Sequence, residues 1–168
     1  MTKRSPRDIG TADNRDVVRA LQRLGFPHAE KRDLHGRYDQ GDVTGIIGVM
    51  IEVKGGQAAR TASDGQIETW MREEVVPQTA HAKADVGFLV TPRKGIGGAN
   101  AERWWAHFHL DALVGLFTPS PDIEPGPVVV RLPLADAAGL LRQAGYGEPL
   151  VAAHRPVSND RGAFPLVN

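Results

Sequence analysis

The run Ile46-Ile47-Gly48-Val49-Met50-Ile51-Glu52-Val53-Lys54 constrains the fold more than any other stretch of the chain. Rich in β-branched residues and preceded by the turn-forming Gly41 to Gly45, it predicts an antiparallel hairpin whose second strand runs from about Val49 to Lys54, where Gly55-Gly56 stops it. Upstream, Thr11 is an acceptable N-cap for a helix that places Val17, Val18, Leu21 and Leu24 at helical spacing and ends at Gly25. His28 to Leu34 is short and polar, and His35-Gly36 marks a turn. Downstream, Ile67, Trp70, Met71, Val75 and Val76 recur on one face of a long helix that starts near Ser63 or Asp64, with Pro77 expected to kink or break it. Asp85 to Thr91 reads as a buried strand, Val86, Phe88 and Val90 on one face and Leu89 on the other, closed by Pro92 and a glycine-rich loop through Gly98. Glu102 to His109 predicts a further strand and Leu110 to Leu116 a short helix. The order helix, hairpin, helix, strand, strand describes an α/β chain with a mixed sheet flanked by helices.

A length of 168 residues with 41% hydrophobic residues suits one domain. Eight of the 12 prolines lie beyond Phe117, and Pro119 to Pro127 reads as a loop or linker. Val128 to Leu132 and Leu134 to Ala144 still look like a strand and an amphipathic helix stopped by Gly145, so the expected domain is 1–150, with 151–168 a poorly ordered tail. Apolar runs are far shorter than the roughly 20 residues of a membrane helix, and the Lys/Arg-bearing start lacks a signal-peptide core; no membrane association and a cytoplasmic location are expected.

Without cysteine, disulfides, Cys-ligated zinc, iron–sulfur clusters and thiol nucleophiles are excluded, which leaves carboxylates, histidines and hydroxyls for chemistry and hard oxygen donors for any metal. The 20 Lys+Arg balance 20 Asp+Glu, so net charge does not advertise a nucleic acid, although residues 1–60 are mildly basic. No G-x-S-x-G, Walker-type or G-x-G-x-x-G run occurs.

The chemistry concentrates at Asp42, Glu52 and Lys54. On a strand Glu52 and Lys54 project from one face, and a hairpin brings Asp42 alongside them. Two carboxylates sharing a site repel, and a divalent cation relieves the repulsion; the lysine can then orient or deprotonate water, or stabilise charge on a phosphate. The same spacing also fits a solvated Glu-x-Lys pair on an exposed strand. His107 and His109 alternate on a strand but have no third ligand at motif spacing.

Gly41-Asp42 followed by Glu52-Val53-Lys54 resembles the PD-(D/E)XK motif of the restriction-endonuclease-like nucleases. Gly10-Thr11, the helix around Val17-Val18, Gly25-Phe26-Pro27-His28-Ala29-Glu30-Lys31-Arg32, Asp39-Gln40-Gly41-Asp42, Ala84-Asp85-Val86-Gly87, Pro92-Arg93-Lys94-Gly95, Arg103-Trp104-Trp105 and Leu141 to Gly147 narrow the likeness. In that order they resemble the phage-encoded, archaeal-type Holliday junction resolvases over roughly residues 7–150. The resemblance implies a restriction-endonuclease-like fold and a homodimer that makes paired nicks in four-way DNA junctions during recombination, in the host cytoplasm if phage-encoded. It implies magnesium or manganese held by Asp42, Glu52 and the Val53 carbonyl, with Lys54 acting on the attacking water or scissile phosphate. DNA held mainly by its backbone gives salt-sensitive binding largely independent of sequence.

The family's first-helix glutamate falls on Asn14 here, which brings no charge; Asp13 is the nearer substitute and Asp16 the farther, although both also suit a first helical turn electrostatically. His35 stands where a serine often precedes the loop glycine and is a candidate phosphate contact or a plain loop histidine. Gln78 sits where related nucleases carry a polar residue facing the site, and Arg32, Arg37, Arg93 and Lys94 are candidate DNA contacts or ordinary surface charges. Trp70 and Met71 read as core, and Trp104-Trp105 as one buried ring and one exposed or dimer-facing ring. Three functions stay open: a junction endonuclease, a nuclease of the same fold on other branched or duplex DNA, and a DNA-binding protein with impaired catalysis.

Overall fold

Helix α1 spans Pro6–Arg23 in the computed structural model, which describes residues 6–32, 40–118, 126 and 128–148. It starts more than a turn before Thr11, because Pro6 opens it at a position where the missing N–H has no helical partner to lose. Asp13 and Asp16 are therefore interior to α1, and the first-turn reading of both is corrected. Asn14, Val17, Val18 and Leu21 are buried on the side facing the sheet.

Six strands follow: β1 Glu30–Lys31, β2 Val43–Thr44, β3 Val49–Val53, β4 Val86–Thr91, β5 Trp105–His109 and β6 Val129–Pro133. They lie side by side in chain order, all neighbours antiparallel except the parallel pair β3–β4. The expected hairpin is β2–β3, with Val43 opposite Ile51. Strand β1 was not expected from its polar sequence; it forms because pairing with β2 satisfies its backbone, while Glu30 stays exposed.

A parallel pair needs a crossover, and here the chain crosses through α2 (Gly56–Arg60) and α3 (Asp64–Trp70), then a π-helical turn at Met71–Val75 that runs into α4 (Val76–Ala82). Ser63 caps α3 by accepting from the Gln66 N–H at 3.2 Å. Pro77 does not break the helix. Its ring crowds the carbonyl four residues back, and the wider π turn just before it absorbs that conflict. Gly98–Arg103 forms a 3-10 helix, so the strand predicted from Glu102 begins at Trp105 instead. Helices α5 (Leu110–Gly115) and α6 (Leu134–Gln143) match expectation. The 119–127 loop, apart from Gly126, and the 151–168 tail lie outside the described residues.

Alternation on the central strands sorts the core into two layers. Ile51, Val53, Phe88, Val90 and Phe108 face α1 and α6, with the Phe88 and Phe108 rings stacked 4.6 Å apart. Met50 and Leu89 face the other way, against Ile67, Met71 and Val75 of the crossover helix. That helix approaches closely at Gly87, where a Cβ would run into the Thr79 hydroxyl. Met71 is fully buried as expected, whereas Trp70 is only partly so. The molecule is thus a single α/β domain built on a six-stranded mixed sheet with helices on both faces. Among the described residues no helix is long and apolar enough to cross a membrane.

Candidate active site

Glu52 and Lys54 project from the sheet face that carries Met50, toward the crossover helix, as strand alternation requires. Asp42 reaches them from the start of β2. Gly41 delivers it with φ +87°, in a space where a Cβ would lie 2.7 Å from the Ile51 carbonyl oxygen. Strand β3 then holds Asp42 twice: its N–H donates to the Ile51 carbonyl at 2.8 Å, and its Oδ2 accepts the Val53 N–H at 2.9 Å. A strand residue's N–H and C=O point the same way, so the Val53 carbonyl also faces the Asp42 side.

Asn14 enters from α1 and donates its Nδ2–H to Asp42 Oδ1 at 2.8 Å. Only the amide nitrogen can face an ionised carboxylate, which accepts but does not donate, so the Asn14 oxygen points elsewhere in the site. Lys54 Nζ donates to Glu52 Oε1 at 2.8 Å and to Glu74 of the π turn. Glu52 is buried, and its carboxyl is pushed up to about 7, by desolvation first and by the neighbouring charge of Asp42 second, against the opposing pull of Lys54. Burial draws the Lys54 ammonium down, but Glu52 and Glu74 more than offset it and its pKa is raised.

The structure thus brings Asn14, Asp42, Glu52, Val53 and Lys54 together, and adds Glu74, which sequence reasoning missed. The available signal was that Glu74 precedes Gln78 by four residues, one helical turn on the same face. Gln78 itself is buried in α4. Asp13 is buried next to the site but turned away: its Oδ2 accepts the Gly56 N–H at 2.7 Å at the start of α2, and its Oδ1 is 3.5 Å from Arg60. As placed, it ties α1 to α2 and does not join Asp42. Asp16 pairs with Arg19 at the surface.

Of the candidate DNA contacts, Arg32 lies beside Asp42, its N–H donating to the Asp42 carbonyl at 2.8 Å and its guanidinium to Gln40 at 3.0 Å. Arg93 packs over the Trp105 ring and Lys94 is exposed. His35 and Arg37 lie outside the described residues. Trp104 is fully buried and Trp105 half-buried. His107 is buried against Thr91, its Nε2 2.9 Å from the hydroxyl, and desolvation chiefly, helped by Arg131, lowers its pKa to about 4.

Among the described residues no three His, Asp or Glu side chains converge as a metal cage. The donor set at Asp42 and Glu52 nevertheless fits magnesium, which commonly takes one or two carboxylates and completes its octahedron with water and substrate phosphate oxygens. The repulsion that raises Glu52 is what a cation would relieve. Comparison with models of protein families, with curated proteins and with solved structures finds no match for this chain.

Proposed function

We propose that this chain is a magnesium- or manganese-dependent DNA endonuclease of the restriction-endonuclease-like fold, acting on four-way junctions in the manner of a Holliday junction resolvase. The observation that carries the reading is the convergence of Asp42, Glu52 and Lys54 at the end of β3, with Asn14 locking Asp42 in place. Asp42, Glu52 and the Val53 carbonyl would hold the metal. When bound, the metal would neutralise phosphate charge and make its water more acidic.

The chain's own groups divide the remaining work. With its pKa raised by two carboxylates, Lys54 stays an ammonium at neutral pH, which favours stabilising charge on the phosphate over removing a proton from water. Glu52, beyond its share in holding the metal, keeps Lys54 aimed along the strand face. Glu74 lines the helix side as the second anchor of Lys54. Two opposed nicks call for two symmetry-related sites, hence a homodimer.

One observation favours a second reading, DNA binding with weak or absent cleavage: Asn14 supplies an amide where a third carboxylate would complete a stronger metal site. The deciding experiment is cleavage of a labelled immobile four-way junction beside a linear duplex, in Mg²⁺, Mn²⁺ or EDTA, with wild type and Glu52→Ala. Paired, metal-dependent nicks confined to the junction and lost in Glu52→Ala are expected. Equal cutting of both DNAs would make it a general nuclease. Junction binding without cutting, restored by Asn14→Glu, would establish the second reading, and neither binding nor cutting would overturn both.

A further inference from the structure

The two adjacent tryptophans of the chain are built into different surroundings. Trp104 is fully buried; its indole N–H donates to the Ile96 carbonyl at 3.1 Å, and the one guanidinium near its ring, Arg60 at 5.8 Å, is neutralised by Asp13. Trp105 is half-buried and carries two guanidinium groups, Arg93 at 4.3 Å and Arg131 at 5.1 Å from the ring centroid. Among the described residues neither arginine forms an ion pair with a carboxylate. Two guanidinium groups gathered around one ring without a direct carboxylate partner repel each other, an arrangement that an anion would stabilise.

Register connects this cluster to the site already described. Val53 pairs with Val90, which puts Lys54 beside Thr91, and Thr91 pairs with Trp105. In the next row Glu52, Leu89, His107 and Arg131 stand side by side. Side chains in register across neighbouring strands share a face, so Trp105 and Arg131 open on the same side as Glu52 and Lys54. Two strand spacings separate Lys54 from Trp105, about 10 Å, which spans roughly one to two phosphate steps along one DNA strand. Beyond Arg131 the cleft is lined by Asp64 and Glu68, which bound the cationic surface on that side.

We propose that Arg93, Trp105 and Arg131 form a second contact site for the DNA backbone, seating phosphates about one to two nucleotides from the bond held at Glu52 and Lys54. Contact with the ring restrains each guanidinium while its N–H groups remain able to meet phosphate oxygens. The inference rests on the endonuclease reading and assigns that enzyme a footprint.

The test is the salt dependence of junction binding, followed by fluorescence anisotropy in Mg²⁺ with protein carrying Lys54→Met so that the DNA stays intact. Adding Arg93→Gln or Arg131→Gln is expected to reduce the slope of log K against log salt by about 0.9 and to weaken binding about eightfold at 0.1 M salt, the effect of one lost phosphate contact. Trp105→Leu should weaken both contacts together, Trp105→Phe should restore most of the affinity, and Arg19→Gln on the opposite helix layer should change nothing. In the otherwise wild-type enzyme the two arginine variants should raise KM and leave kcat unchanged. Normal slopes in folded Arg93→Gln and Arg131→Gln proteins would overturn this contact site and leave the endonuclease standing. Failure of the parent protein to bind any DNA would overturn the endonuclease reading itself.

Discussion

Glu52 and His107 flank Leu89 in one row of the sheet and carry opposite electrostatic penalties, which makes the pH dependence of stability a sharp test of how this face is built. The Glu52 carboxyl has its pKa raised from 4.5 to about 7, so between those values the folded chain keeps a proton that the unfolded chain releases, and stability falls as pH rises through the window. The His107 ring is lowered from 6.5 to about 4, so there the unfolded chain binds a proton that the folded one refuses, and stability falls as pH drops. Each shift is worth roughly 3 kcal/mol, and in the overlap from pH 4.5 to 6.5 they nearly cancel. In EDTA, therefore, these two groups oppose each other and flatten the wild-type profile across that overlap. Glu52→Gln, whose amide oxygen can still accept from Lys54, removes one side of the balance and should lose about 3 kcal/mol, relative to wild type, on going from pH 8 to 4.5. His107→Gln should gain a comparable amount over the same range, and the double variant should be flat again, because sites about 10 Å apart add. Urea unfolding at half-unit pH steps measures all four profiles. Single variants that run parallel to wild type would refute the claim that either group is held in its uncharged form.

Two further outcomes follow from the site's geometry. Asn14→Asp replaces the amide donor of Asp42 with a third negative charge; loss of a hydrogen bond to a carboxylate, about 1.5–3 kcal/mol, should lower Tm by roughly 3–12 °C in EDTA, and Mg²⁺ should recover more of it than Mg²⁺ adds to wild type. Equal Tm values in EDTA, or equal gains with Mg²⁺, would count against the cation reading. Gly41→Ala forces a left-handed alanine whose methyl meets the Ile51 carbonyl, so it should cost at least about 1–2 kcal/mol, a drop of roughly 2–8 °C by calorimetry, and should displace Asp42 enough to abolish the proposed cleavage.

The elements that follow a clean period were legible in the sequence. Strand β4 shows its two faces by alternation alone, and β3, α5, β6 and α6 fall close to their expected bounds. The candidate cluster was legible because a strand fixes which side chains share a face, and a short hairpin fixes what lies beside them. What escaped depends on contacts between distant parts. Nothing local marks Glu30-Lys31 as a strand until β2 supplies its partner, and the N-terminal extension of α1 to Pro6 carries no apolar stripe to announce it. Asp13 looks like a metal ligand by its nearness to Asn14; only the position of Gly56 and Arg60 gives it another task. Arg131 and Trp105 stand far apart in the chain and meet only through the β5–β6 register.

The π turn at Met71–Val75 amounts to one surplus residue in an otherwise regular helix. Before it and at its first residue, Ile67 and Met71 are keyed to Met50 and Leu89; after it, Thr79 is keyed to Gly87. A regular helix turns 100° per residue, so it cannot satisfy both keys unless one residue is taken out of phase. The surplus is a vernier between two fixed registrations with the sheet, and Glu74 lies within it, so the aim of Lys54 is coded as a residue count. Deleting any one of Met71 to Val75 would oblige one half of the helix to abandon its seat, while a point substitution at an exposed position such as Glu73 would leave the phase untouched.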